Sequence, residues 1–307
     1  IDARTLLTEE DLHQAASQYT VFGRVTPEHK KSLVEGLQAK GHKVAMTGDG
    51  VNDILALKTA DCSIAMESGN DATKKMAQVV LLDSDFGKMP SIVAEGRRVV
   101  NNIQRSASLF LIKNIFSILL AISVTLLAFT YPIMPSQMSL ISGFTIGIPG
   151  FLLALEPNKA RIRGRFLETV LKNALPAAIV DYLAVLVAVY CGHWLGLSPK
   201  EISTSSIILL AVVGFIIMYK LIRPLNRIKI GIMLLNITGM SLAALLLPRI
   251  FNLSGLSIAA ILMTVLLSLL LERLIWFFQF LTNKAVALYK KRSWKIPTSF
   301  ILIKRGQ

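Results

Sequence analysis

Six apolar runs, each near the length that crosses a bilayer core, restrict the fold of this chain more than any other feature. They cover residues 109–131, 138–155, 175–195, 207–222, 230–247 and 256–281. A hydrocarbon core about 30 Å thick asks for roughly 20 apolar residues in a helix. The second, fourth and fifth runs are short for this, and the last is long enough to tilt or to pass the interface. Hydrophobic residues make up 53% of the chain and charged residues 17%, with a mean hydropathy of +0.57. Those values exclude a wholly soluble, disordered or collagen-like chain.

The net charge of +14 is unevenly placed. Residues 1–105 are nearly balanced, whereas only five of the 19 acidic residues lie after them. The basic residues after 105 also alternate between loops. Arg97, Arg98 and Arg105 precede the first run; Lys159, Arg161, Arg163, Arg165 and Lys172 lie between the second and third. Lys220, Arg223, Arg227 and Lys229 separate the fourth from the fifth, and Lys284, Lys290, Lys291, Arg292, Lys295, Lys304 and Arg305 follow the sixth. The intervening loops carry only Lys200 and Arg249. Positive residues stay on the cytoplasmic side, so both termini are expected there, with an even number of spans between them. The expected partner is membrane lipid and not nucleic acid, with Lys290-Lys291-Arg292 open to anionic headgroups. Trp276, Phe277, Phe278 and Trp294 read as interfacial anchors. Two cysteines, Cys62 and Cys191, form no disulfide framework. The opening Ile1-Asp2-Ala3-Arg4 is neither an initiator methionine nor a signal peptide, so the chain is expected to continue a larger protein.

The first 105 residues alternate helix and strand patterns. Thr8 is placed to cap a short helix, and Pro27 to open one that ends at Gly41. Residues 43–46 form a buried-strand candidate, 54–59 a helix, and 62–66 and 79–82 further strands. Helices of 8–15 residues between strands imply a parallel α/β sheet, whose chemistry belongs at the strands' carboxyl ends. Thr47-Gly48-Asp49-Gly50-Val51-Asn52-Asp53 follows the first strand directly. Gly48 and Gly50 let the backbone turn and approach a phosphate. Asp49 and Asp53 supply hard oxygens for Mg²⁺. Asn52 adds an amide, and Lys30, at the start of its own helix, adds positive charge for phosphate oxygens. The competing reading is a tight turn with a capping aspartate.

TGDGVND resembles the hinge motif of P-type (E1-E2) cation-transporting ATPases, the pumps that pass through an aspartyl-phosphate. RVTPEHK at 24–30 is similar to the segment carrying that family's phosphate-binding lysine, and ALKTAD (56–61) and SIAM (63–66) to the rest of its phosphorylation domain. EGRR (95–98) and NNI (101–103) resemble the stalk before the fifth membrane helix. The resemblance implies a partial haloacid-dehalogenase-like α/β phosphorylation domain over 1–105, followed by an all-α membrane domain of six transmembrane helices over 106–307. It implies a catalytic set of Lys30, Asp49, Asn52 and Asp53, a phosphate loop through Thr47, Gly48 and Gly50, Mg²⁺ on Asp49 and Asp53, and ATP as substrate of the complete pump. DKTGT does not occur in the sequence. The phosphorylated aspartate, actuator and nucleotide-binding domains are therefore expected on an upstream polypeptide, and the chain is not expected to turn over alone.

For the transported cation, Asn114 falls where calcium pumps carry a ligand asparagine, with a packing amide as the alternative. Ser117 stands where they have glutamate. Ser142 and Thr145 lie in the next helix, but Ile146 replaces the carboxylate expected after the threonine. Gly147, Pro149 and Gly150 are expected to loosen that helix and free carbonyl ligands. The stretch GIPGFLLALEPN (147–158) resembles a bacterial branch with calcium-transporting members of the mycobacterial type, placing the chain in a bacterial plasma membrane. Glu156 is a further candidate, with a capping role as alternative. Asp181 and Glu272 read as pairing or lining an aqueous edge, with binding of the transported ion as the alternative. Ca²⁺ leads, with Mg²⁺, Mn²⁺ or a monovalent cation open. The competing functions are a non-catalytic scaffold or regulator derived from a pump, and a membrane-tethered haloacid-dehalogenase-type phosphatase.

Overall fold

The computed structural model describes residues 1–127, 129–162 and 164–293, except the side chains of 289–293. Arg163, Trp294, Lys295, Lys304 and Arg305, and the side chains of Lys290, Lys291 and Arg292, lie outside that description. The chain divides into two compact units, Ile1–Val93 and Ala94–Gln307.

In the first unit, α1 (Glu9–Gln18) starts at Thr8, whose side chain accepts from Asp11 N while Asp11 reaches back to Thr8 N. This reciprocal box satisfies two donors that a helix start leaves open. Helix α2 (Pro27–Ala39) is capped by Thr26 and opened by Pro27. It stops at Ala39 with Gly41 at φ 85°, a left-handed conformation suited to glycine. Then follow β1 (Ala45–Gly48), a 3-10 turn at Val51–Asp53, α3 (Ile54–Thr59), β2 (Cys62–Met66), α4 (Asp71–Met76) and β3 (Val79–Leu81). The sheet is parallel in the order β1-β2-β3, with Ala45 beside Cys62 and Ile64 beside Val79. The first strand lies two residues later than 43–46, so Thr47 and Gly48 belong to the strand itself. The connecting helices α3 and α4 have six residues each, shorter than the pattern suggested. Residues 19–23 contribute only an isolated bridge, Asp2 to Gly23, among the described residues.

Asp61 ties this unit together at the entrance to β1. Its carboxylate accepts from Lys43 Nζ at 2.6 Å, Val44 N at 3.0 Å and Gln38 Nε2 at 3.1 Å. These bonds, led by the Lys43 one, hold its pKa down from 3.8 to about 2. A carboxylate held low in the fold stabilises it above the unfolded value, and that contribution is lost as pH falls through the folded one. Thermal stability of the first unit should therefore fall as the pH is lowered from about 4 to about 2. Asp61→Asn should remove part of that slope; an unchanged slope would refute the assignment.

The second unit is helical. Helix α5 (Met89–Leu127) begins before the unit boundary and runs unbroken over the polar residues 94–105 into the first apolar run. The second span consists of α6 (Pro135–Ser142), a π turn at Gly143–Gly147 and α7 (Ile148–Ala154). Helices α8 (Phe166–Trp194), α9 (Pro199–Ile222), α10 (Arg227–Leu246) and α11 (Ile258–Ser293) follow. Among the described residues six helical segments are long and apolar enough to cross a membrane.

Three of these helices, α5, α8 and α9, start well ahead of their apolar runs. In α9 the reason is the Ser203–Ser206 hydroxyl stretch, which hydropathy penalises. The hydroxyls of Thr204 and Ser206 donate to carbonyls four residues back, and Ser203 donates to Gln137 Oε1 at 2.7 Å. Such bonding makes hydroxyls compatible with an apolar surrounding. The first span stops at Leu127, short of Tyr131.

Helix α8 is, after α9, the most buried span of the unit. Its buried Ala174, Ala177, Ala178, Ala184 and Ala188 present small side chains to α9 and α11, giving close backbone approach. On α5, Ile118, Ile122 and Leu126 recur every fourth residue and are exposed. Exposed apolar stripes of this kind suit lipid contact. The chain is a multi-pass membrane protein.

Candidate functional site

At the carboxyl end of β1 the chain turns over its own last residue. A Cβ on Gly48 would lie 2.4 Å from Cβ of Asp53, so only glycine lets Asp53 fold back there. Asp53 is 6% exposed and accepts from Lys30 Nζ at 2.6 Å and Gly50 N at 3.4 Å. Lys30 reaches it from the first turn of α2, where the Thr26 cap fixes the helix start. Two of the candidate residues, 23 positions apart, thus form one ion pair.

Asp49 and Asn52 face outward. Asp49 is exposed, and its carboxylate has no side-chain bond among the described residues. Its backbone is held firmly: Asn70 N donates to Asp49 O at 2.8 Å, and a Cβ on Gly69 would come within 2.6 Å of that oxygen. Gly69 and Asn70 were not singled out by the sequence reading. The only local signal was the turn composition of Ser68-Gly69-Asn70. Thr47 lies half-buried in the ladder opposite Ile64. The donor set suits a hard cation such as Mg²⁺ at Asp49, whose oxygens are free. The oxygens of Asp53 are already shared by Lys30 and Gly50.

The membrane unit distributes its candidates differently. Ile148 N donates to Gly143 O, one residue further back than in an α-helix, so the expected loosening takes the form of a π turn. Ser142, just before this turn, and Thr145, within it, line a cavity of about 40 Å³ between α5, α6, α8 and α9. Thr145 donates to Ile141 O at 2.8 Å, while Ser142 Oγ is buried without a partner among the described residues. Ile146 is buried in the apolar core. Lys113 and Asp181 line the same cavity. Asp181 is 7% exposed and takes part in no ion pair among the described residues, where the sequence suggested pairing or an aqueous edge. Its azimuth on α8 decides this, and an almost uniformly apolar helix gives no local hint of azimuth. Glu272 is exposed.

Asn114 and Glu156 do not join this cavity. Asn114 is on an exposed face of α5, and Ser117 hydrogen-bonds Tyr131, where the chain leaves the first span. Glu156 lies between Arg105 at 2.9 Å and Lys229 at 3.0 Å, with Asn226 Nδ2 at 3.4 Å. Asn102 donates to the carbonyls of Ala154 and Glu156, closing the end of α7. The arrangement around Glu156 is a clasp between α5, α7 and α10, and its carboxylate is already neutralised by two cations.

Residues 5–61 match the haloacid dehalogenase-like hydrolase family. The chain is 41% identical over 252 residues to a probable cation-transporting ATPase, exp7, of Streptococcus pneumoniae, covering 80% of this chain and 32% of that protein. It is 41% identical over 249 residues to the calcium-transporting ATPase CtpE of Mycobacterium bovis, covering 76% and 31%. A calcium-transporting ATPase of Bacillus subtilis is 36% identical over 160 residues, covering 52% and 18%. The chain spans about a third of the length of the first two relatives. With a parallel α/β unit ahead of six apolar helices, it belongs to the P-type cation-transporting ATPases, as a carboxyl-terminal part.

Proposed function

We propose that this chain supplies part of the phosphoryl-transfer site and part of the ion path of an ATP-driven pump for Ca²⁺ or another hard cation, working through an aspartyl-phosphate. The observation that carries the reading is the outward, unpartnered Asp49 set beside the half-buried Lys30–Asp53 pair. Phosphoryl transfer is largely positioning and charge neutralisation. Asp49 would hold Mg²⁺, which supplies positive charge to phosphoryl oxygens. Lys30, oriented by Asp53, neutralises further oxygens at the same strand end. Asn52 offers its amide to orient them, and Thr47, Gly48 and Gly50 keep the loop low enough for a phosphate to approach. The phosphorylated aspartate, the actuator and the nucleotide-binding domain would be supplied by the upstream part of the pump.

The alternating basic loops support cytoplasmic placement of both termini in a bacterial plasma membrane. The names of the relatives support Ca²⁺ as the first cation to test. In membranes holding this chain together with the upstream part, ATP-dependent, vanadate-sensitive ⁴⁵Ca²⁺ uptake is expected, and none in membranes holding the chain alone. Hydrolysis stimulated by another cation without Ca²⁺ uptake would keep the pump and replace the ion. No uptake and no cation-stimulated hydrolysis from correctly folded protein would overturn the reading in favour of a scaffold.

A further inference from the structure

Asp181 is the unexplained charge of the membrane unit. It is 7% exposed, and its Oδ1 has no hydrogen-bond partner among the described residues. The other carboxylates of this unit are accounted for: Glu95 pairs with Arg98, Glu156 with Arg105 and Lys229, Glu168 with Lys172, Glu201 caps α9, and Glu272 is exposed. Burying an unpaired carboxylate among apolar helices is costly, and it persists where another charge compensates it.

The surroundings supply the rest of a binding site. Ser142 Oγ, also buried and without a partner, lines the same cavity as Asp181. Thr145 lines it as well, at the π turn. Pro149 has no N–H to donate, so the turn before it keeps a carbonyl without its helical donor. A cavity of about 40 Å³ exceeds the space one water or one bare ion needs. Oxygen ligands with no thiol or imidazole select a hard cation. Lys113 is the other charged group lining the cavity, and no ion pair engages it among the described residues.

We propose that Asp181 and Ser142, with the π turn beside them, form a cation-binding site for Ca²⁺ or a similar hard divalent ion, at which the Lys113 ammonium is a tethered competitor. This deepens the ion-path part of the pump reading and rests on it. The residues named all lie within this chain, so their role is testable on the chain itself.

The test is equilibrium binding of ⁴⁵Ca²⁺, and of Mn²⁺ in parallel, to the purified 307-residue chain in lipid nanodiscs. Saturable binding is expected, weakened about 10- to 100-fold by Asp181→Asn. Asp181→Glu should retain part of the affinity, and Lys113→Met should tighten binding several-fold by removing the competitor. Melting temperatures of Asp181→Asn at or above wild type in metal-free buffer would show that the fold survives. Wild-type affinity in Asp181→Asn, or no binding of either metal to the wild-type chain, would overturn the proposal. So would equal loss of binding in Lys113→Met, which would make the two residues a structural ion pair. Vanadate-sensitive hydrolysis by the chain with its upstream part reads the pump separately. Hydrolysis that responds to Ca²⁺ equally in wild type and Asp181→Asn would keep the pump and discard the site. Asp181-dependent binding without any hydrolysis would keep the site and discard the pump.

Discussion

Replacing Asp49 with asparagine should nearly abolish phosphoenzyme formation once the chain is combined with the upstream part of the pump. The change keeps shape and removes charge, so it isolates the carboxylate's electrostatic role. Asp49 is exposed and has no side-chain bond to lose, and its fixed contact is through the backbone oxygen to Asn70. Folding and melting temperature should therefore stay near wild type. Loss of the carboxylate that holds Mg²⁺ should lower radiolabelled phosphoenzyme by about 100-fold or more. Normal labelling in a folded Asp49→Asn protein would refute the role. Asp53→Asn makes a useful contrast, because Asp53 is buried and bound to Lys30. That variant should lose both labelling and stability.

The second large effect belongs to Glu156. Its side chain and its partners Arg105 and Lys229 are 13%, 14% and 6% exposed. Glu156→Ala leaves two enclosed cations facing each other without a carboxylate, and breaking a buried ion pair from one side costs about 3–5 kcal/mol. The melting temperature of the chain in nanodiscs should fall markedly. Adding Lys229→Met should recover part of the loss, because one of the stranded charges goes with it. If Glu156 were instead a ligand of the transported ion, the variant would lose cation affinity while melting as the wild type does.

Much of this protein can be read along the chain. Spans, helix caps and the TGDGVND loop are local patterns. A run of apolar residues has few alternatives to crossing the bilayer, and Thr8 and Thr26 cap their helices from residues three positions away. The same locality explains where reading stopped. The hydroxyl-rich start of α9 was invisible to hydropathy because its bonds run to a preceding turn and to Gln137. The Asn70 anchor on Asp49 comes from the loop after another strand, brought near by parallel pairing.

Residue order alone reveals a near-neutral α/β part with a phosphate-type loop, joined to six apolar helices with basic residues in alternate loops. Composition and short-range periodicity carry that information, because solvent preference acts on each residue where it stands. Which charges meet is set by how the elements pack in three dimensions. Lys30 reaches Asp53, Glu156 is clasped by Arg105 and Lys229, Asn114 turns outward, and Asp181 shares a cavity with Ser142 and Lys113. Pairing depends on the rotation of each helix about its axis and on which neighbour it packs against. In a uniformly apolar helix neither quantity is written in the local sequence.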